Sequence, residues 1–459
     1  MFKFLLFFLP FFFLGCSDGV PAEKEIFVPT STSQLHQPML VIGVEFNDYA
    51  FSSTSPSDSW EQKIFGQNSG SVNDYYNEIS AGQFQFEPVI NENVTTGLTI
   101  IKLDQNHPNF YSGTNETTFN NDIQNNLYPI LDKALIKVDI QGFDFSYYDN
   151  NNDGNITPDE LLITYILAGE EDAYSGGIYA SGVWAHVDCT TSSSKLDGVN
   201  LLGCSSGGNY AVFGERHYDS PDTSHDATIG IIAHELGHAA FALPDLYYKN
   251  DSRIGYFGLM ASGTWGQANQ GGEAGDTPTH MCAWSKIDTG WYSTSPTLDN
   301  NTDYQVNATG STDYNIVKVP LNGSHDEYFL IENRGLGGYD SGLKYIFSKP
   351  LQKVIYTNYN GGLAIWHIDE QIIRSKRASN SINSNSVHKG IDLEEASGTS
   401  VDEGMGDPEL NLYYSGNIDK FTPKTSPNTD SYTGDSSLIY FTNISTRSNT
   451  MTINISNKP

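Results

Sequence analysis

The 459-residue sequence predicts an α+β fold in two parts. A mixed part built around one buried helix comes first, and an all-β, sandwich-like C-terminal part follows. Three observations predict this. Residues 229–243 (IGIIAHELGHAAFAL) are apolar or small at almost every position, as in a helix buried on most sides. The runs MLVIGV (39–44) and LLITYIL (161–167) are apolar and rich in β-branched residues, which suits buried strands. After about residue 296, short alternating runs punctuated by Asn, Asp, Ser, Thr and Gly replace this texture, the pattern of a β-sandwich.

Taken in order, residues 1–16 (MFKFLLFFLPFFFLGC) place one Lys before an apolar run too brief to span a bilayer securely. The run ends Phe13-Leu14-Gly15-Cys16, which resembles a bacterial lipoprotein processing site. There the peptide is cut before the Cys, which then carries lipid. The expectation is an exported chain anchored to the outer membrane or cell surface through Cys16; an ordinary cleaved signal peptide is the alternative. Residues 17–36 are polar with Pro, Ser and Thr, and read as a tether. The segment SVNDYYNEIS (71–80) starts a helix and FQFEPV (84–89) a strand, while residues 119–136 look helical. The helix around 227–243 is stopped by Pro244. In the C-terminal part the strand candidates are NIVKVPL, EYFLIENR, LAIWHID, LIYFTNI and TMTINIS.

Composition narrows the function classes. Hydrophobic residues make up 38% and aromatics 12%, enough for packed cores. Lys+Arg total 24 against 55 Asp+Glu, a formal charge of -31. Phosphate binding needs a basic footprint, so a nucleic-acid partner is excluded. The sequence assigns no oligomeric state. Beyond Cys16 three cysteines remain. Cys189 and Cys204 flank a Ser/Gly-rich stretch and are paired here as a loop staple, which an exported compartment permits. Cys282 reads as a buried thiol.

The chemistry resides in His234-Glu235-Leu236-Gly237-His238. Residues four apart share a helix face, so two imidazoles can reach one zinc ion. Glu235 can approach a water on that metal and take its proton as the water attacks a peptide carbonyl. Two His and a Glu inside an apolar helix would be costly without such a purpose. A catalytic zinc needs a third protein ligand and an open position. Asp245, just past the helix stop, is the first choice. Glu273, His217 and His225 are the alternatives.

Around these residues the chain resembles a known family. HELGHAAFALPDLYY, RIGYFGLMASGTWG and THMCAWSKIDTGW look like the immune inhibitor A family of secreted bacterial metallopeptidases. MLVIGVEFND, SVNDYYNEISAGQF, EYFLIENR, GGLAIWHID, HKGIDLEEASG and FTPKTSPNTDSYTG extend the likeness over nearly all of the chain. The resemblance implies a metzincin-like, zinc-dependent catalytic domain at 37–295, a β-rich domain at 296–459, and protein or peptide substrates. It also implies that Met260 is the Met-turn residue, an apolar floor beneath the zinc. One departure stands out. The family often has Gly three residues after the second His and Asp three further on. Here Phe241 holds the Gly position and Asp245 falls one residue late.

Residues 149–160 fit a calcium-loop pattern. Asp149, Asn151 and Asp153 would offer side-chain oxygens, Asn155 a backbone carbonyl and Glu160 a carboxylate, with Gly154 at the sharp turn. Because a strand candidate follows, the expectation is a static structural clip. Asp369, Asp392, Glu394 and Glu395 could make another ion site, though such residues are more often solvated strand ends or turn formers, and they are not assigned. The sequence thus favours a zinc endopeptidase stabilised by calcium. The rival is an inactive calcium-stabilised adhesin or binding protein on the same fold.

Overall fold

The computed structural model describes residues 35–52, 57–90, 97–108, 121–175, 182–220, 222–295, 301–321, 323–348, 353–402 and 407–457. The targeting segment, Cys16 and the tether up to residue 34 lie outside the described residues. Among those described, no helix is long and apolar enough to cross a membrane. The described residues form two compact units, 35–76 with 84–242, and 77–83 with 243–457.

The first unit holds an eight-stranded mixed sheet. Its main path runs β10 (Thr223–Asp226), β9 (Tyr210–Ser220), β4 (Leu162–Glu171), β1 (Leu35–Glu45) and β2 (Phe84–Pro88). Strands β3 (Leu98–Lys102), β5 (Gly182–Val183) and β6 (His186–Asp188) join it on β1, β4 and β9. The pairs β1/β2, β1/β3, β1/β4 and β4/β9 are parallel. Parallel strands are covered on both faces, which explains continuous apolar runs instead of alternation. All ten residues of β4 are buried, as are Met39–Val44 of β1.

Four helices matter here: α1 (Ser57–Phe65), α2 (Val72–Ile79), α3 (Tyr128–Ile140) and α4 (Ile229–Phe241). The helix expected at 119–136 is observed from residue 121, with residues 119–120 outside the described residues; it includes a π segment, Ile123–Leu127, that runs into α3 and continues to Ile140. Pro129 has no N–H to continue the ladder, and the π segment gives way to α3 just before it. Buried Ile130, Leu131, Ala134, Leu135 and Val138 keep the helical spacing going past residue 136. The sequence reading missed α1, which among its described side chains buries Trp60, Ile64 and Phe65 and carries little periodic signal. Cys189 and Cys204 are joined by a disulfide that brackets the hairpin of β7 (Ser194–Leu196) and β8 (Val199–Leu201).

The second unit carries two sheets of mostly antiparallel strands. One has the order β11 (Thr294–Ser295), β13 (Ile316–Pro320), β14 (Glu327–Arg334), β17 (Gly362–Asp369) and β18 (Ile391–Leu393). The other pairs β12 (Thr302–Asn307), β20 (Thr450–Ser456) and β19 (Tyr440–Thr442), and β15 (Tyr345–Ser348) with β16 (Lys353–Tyr356) makes a separate hairpin. One apolar cluster takes Val317, Phe329, Ile331 and Ile365 from the first sheet and Val306, Phe441, Met451 and Ile453 from the second.

The C-terminal part is not purely β. A seven-residue helix, Glu370–Lys376, follows β17, and Asp369 caps it by accepting the N–H groups of Gln371 and Ile372. The other three unassigned acids also have protein partners. Asp392 bonds Lys389, Glu394 bonds His367, and Glu395 accepts the Val401 N–H. Cys282 is a buried free thiol beside Ser285.

A buried ionic cluster completes this unit. Arg334 donates to Asp340 (Nε–Oδ2 2.9 Å) and to the Phe257 carbonyl (2.7 Å). Lys286 and Arg334 both lie against Glu332, and neither Glu332, Arg334 nor Asp340 has any exposed side-chain surface. Burying such charges is tolerable only because each is paired and hydrogen-bonded. The Phe257 contact also fixes the turn that leads to Met260.

Candidate metal centre

Helix α4 supplies the centre. Thr228 enters it in an extended conformation (φ -76°, ψ 159°), and ten of its thirteen residues are buried, including His234 and Glu235. Two contacts lock it within its unit. The Tyr76 hydroxyl donates to the Ala233 carbonyl at 2.7 Å, and Asn209 Nδ2 to the Ala239 carbonyl at 3.0 Å. Burial, with the Glu235 carboxylate second, pushes the Tyr76 hydroxyl well above its usual range, so it remains a donor.

The helix ends where the family departure falls. Phe241 is still helical, and its ring packs on Phe84 (centroids 4.8 Å) and Tyr76 (5.9 Å). Ala242 then takes the left-handed conformation (φ 52°, ψ 33°), its N–H reaching the His238 carbonyl at 2.9 Å. That is the turn a Gly normally makes at a helix C-terminus. The turn has therefore moved one residue along, and Asp245 follows it at the same three-residue interval. The late Asp and the missing Gly are one displacement.

The histidine rings meet edge to face, and their Nε2 atoms are 3.1 Å apart. Two nitrogens held at about 2.0–2.1 Å by one tetrahedral zinc lie roughly 3.3 Å from each other. The separation fits a shared ion. Along this continuous stretch, His234, His238 and Asp245 each present a ligand atom within 4.8 Å of the other two. Two imidazoles and a carboxylate are a zinc donor set. Among the described residues, the cluster that contains both helix histidines does not include Glu273, His217 or His225. His217 lies on β9, stacked on Tyr174 (4.0 Å), with His225 beside it on β10; Glu273 is exposed. Burial lowers the His217 pKa well below its usual value.

Asp245 is fixed within the second unit. Its N–H donates to Asn380 Oδ1 (2.7 Å), and Asn380 Nδ2 donates back to Asp245 Oδ2 (2.5 Å). The next N–H, of Leu246, donates to the Met260 carbonyl at 2.7 Å, and Met260 itself is buried. Asn380 carried no signal in the sequence. It lies 135 residues beyond Asp245 in a polar Ser/Asn stretch.

The loop at 149–160 closes on its own backbone. Asp149 accepts the N–H groups of Asp153 and Gly154, Asn151 that of Asp153, and Asp153 that of Asn155. Asn155 Oδ1 accepts from Asn200. Glu160 Oε1 accepts from Asn150 and Asn151, and its Oε2 from both the N–H and the hydroxyl of Thr157. These are Asx-type turns, with Gly154 at φ 79°.

The immune inhibitor A peptidase M6 catalytic-domain model matches residues 38–292, more than half of the chain. The chain belongs to that peptidase family. No curated protein matches it. Among solved structures, wild-type OgpA from Akkermansia muciniphila is 13% identical with a TM-score of 0.28, covering 76% of this chain and 88% of that one. Catalytically inactive OgpA in complex with an O-glycopeptide is 11% identical with a TM-score of 0.28, covering 74% and 86%. Likeness at this level carries no argument here.

Proposed function

We propose that this M6 peptidase is a zinc-dependent endopeptidase whose metal is held by His234, His238 and Asp245, with Glu235 as general base. The convergence of the two imidazole Nε2 atoms at 3.1 Å carries the reading. Zinc, when bound there, supplies Lewis acidity and an acidified water. The protein's own groups do the rest. Glu235 follows His234 on a helix whose register is locked by Tyr76 and Asn209. Its carboxylate takes the proton from the attacking water and returns it to the leaving amine. Burial of His234, Glu235 and Asp245 keeps bulk water from competing for these groups.

Around this centre we place a metzincin-like catalytic domain at 37–295, which the match over 38–292 supports. A β-sandwich domain at 296–459 follows, which the shared core of the two sheets supports. Export as a lipoprotein anchored at Cys16 rests on the N-terminal pattern. A structural calcium ion at Asp149, Asn151, Asp153, Asn155 and Glu160 belongs to the same reading. Glu160 would exchange its bonds to Asn150, Asn151 and Thr157 for the ion, so calcium should raise the melting temperature of the wild type and not of Asp149→Ala.

The deciding variant is Glu235→Gln. It should keep zinc and lose casein cleavage by at least about 100-fold, the usual scale for a general base. Retained turnover would sink the mechanism. Metal binding with no cleavage even by the wild type would favour the adhesin reading.

A further inference from the structure

We infer that Asn380 is a positioning residue for the metal centre, orienting the Asp245 carboxylate; the inference rests on the zinc reading above. The carboxamide engages Asp245 twice. Its Oδ1 takes the Asp245 N–H at 2.7 Å, and its Nδ2 donates to Asp245 Oδ2 at 2.5 Å. One bond holds the Asp245 main chain and the other holds Oδ2, so a single rigid amide ties the carboxylate oxygen to its own backbone.

The surroundings hold Asn380 in place. It ends a short 3-10 turn, Arg377–Ser379, in the left-handed conformation (φ 46°, ψ 43°), with its N–H on the Arg377 carbonyl at 3.0 Å. Asn adopts that conformation more readily than most residues. Arg377 is anchored by two bonds to Asp288 (2.7 and 2.6 Å). Three residues on, Asn383 Nδ2 donates to the Leu246 carbonyl at 3.1 Å. The Asp245–Leu246 peptide is therefore gripped by Asn380 on one residue and by Asn383 and the Met260 carbonyl on the next. No regular element covers this segment, because α4 has ended at Phe241. Asp245 lies on irregular chain three residues past the left-handed turn at Ala242, and the 380–383 turn holds it there.

Outer partners of metal ligands typically change metal affinity or activity about 10–100-fold. The test uses the full chain with Asn380→Gly, which tolerates positive φ, and Asn380→Asp, which keeps the shape and the acceptor but loses the donor to Oδ2. Zinc dissociation constants are measured by chelator competition, beside His238→Ala and the wild type, with circular dichroism to confirm folding. Both Asn380 variants should bind zinc about 10–100-fold more weakly. At saturating zinc their kcat on casein should fall while KM stays within about twofold, since no substrate contact is removed. Wild-type zinc affinity in both folded variants, with His238→Ala losing the metal, overturns the positioning role and leaves the zinc reading intact. Equal zinc binding by His238→Ala and the wild type overturns the zinc reading, and this inference with it.

Discussion

Arg334→Met removes the centre of the buried ionic cluster and should be among the most damaging single changes in the second unit. Arg334 donates to Asp340 through Nε (2.9 Å) and Nη2, to the Phe257 carbonyl (2.7 Å) and to Glu332 (3.3 Å). Burial alone would raise the Asp340 carboxyl, but the Arg334 guanidinium overrides it and holds the group well below the usual carboxylate range. Without the guanidinium, Asp340 keeps only the Thr309 hydroxyl (2.6 Å) and the His280 N–H (3.3 Å). Glu332 still has Lys286, Tyr314 and Trp366. One buried carboxylate thus loses its paired cation, and breaking such a pair costs about 3–5 kcal/mol. Met approximates the lost aliphatic volume, so the loss reports charge more than cavity. The assay is urea unfolding followed by tryptophan fluorescence and by circular dichroism, because two units need not unfold together. The double variant Arg334→Met/Asp340→Asn should recover part of the loss. A single-variant loss below about 1 kcal/mol, or a double variant less stable than Arg334→Met alone, would refute the uncompensated-charge argument.

Three further outcomes are expected. Ala242→Gly should stabilise the helix end by about 0.5–1 kcal/mol, since left-handed strain of about 1–2 kcal/mol is relieved against the extra chain entropy of Gly; a lower urea midpoint would show that Ala242 is unstrained. Burial would lower the His367 pKa, but Glu327 and Glu394 raise it to about 9. Because the folded value lies above the unfolded one of about 6.5, the imidazolium's contribution is complete below pH 6.5 and fades as pH rises to 9. His367→Gln should therefore destabilise more at pH 6 than at pH 10, and an equal loss at both would remove the charge from the account. Replacing Cys189 and Cys204 together by Ser frees a chain segment with a sequence separation of 15. It should cost the first unit about 3 kcal/mol, read as a lowered urea midpoint that matches the reduced wild type.

The parts of the fold that were legible in the sequence share a local cause. Strand β4 and helix α4 are buried on nearly every side, so each reads as an apolar run of the right length without knowledge of its neighbours. The pair His234 and His238 was legible because a four-residue interval on a helix needs no tertiary information. The register of Asp245 was harder. The chain carries Phe241 where Gly is usual, and only the structure shows the left-handed turn passing to Ala242. Phe241 instead packs on Phe84 and Tyr76, contacts set by a distant strand and helix. Glu370–Lys376 escaped notice because seven residues bury a single one, Ile373, leaving no periodic stripe. Asn380, Asn383 and the Arg334 cluster were invisible for a further reason. Their meaning lies in partners up to 137 residues away, and an Asn in a polar stretch or a lone Arg on a strand looks like any surface residue.

The central claim is a single zinc ion held between His234, His238 and Asp245 and required for peptide hydrolysis. The most direct measurement is the metal content of the purified chain, taken before and after chelation and zinc return, with casein cleavage followed on each sample. The account predicts one zinc per chain, loss of cleavage when it is removed, and recovery when it is restored. Undiminished cleavage by the metal-free chain would contradict it.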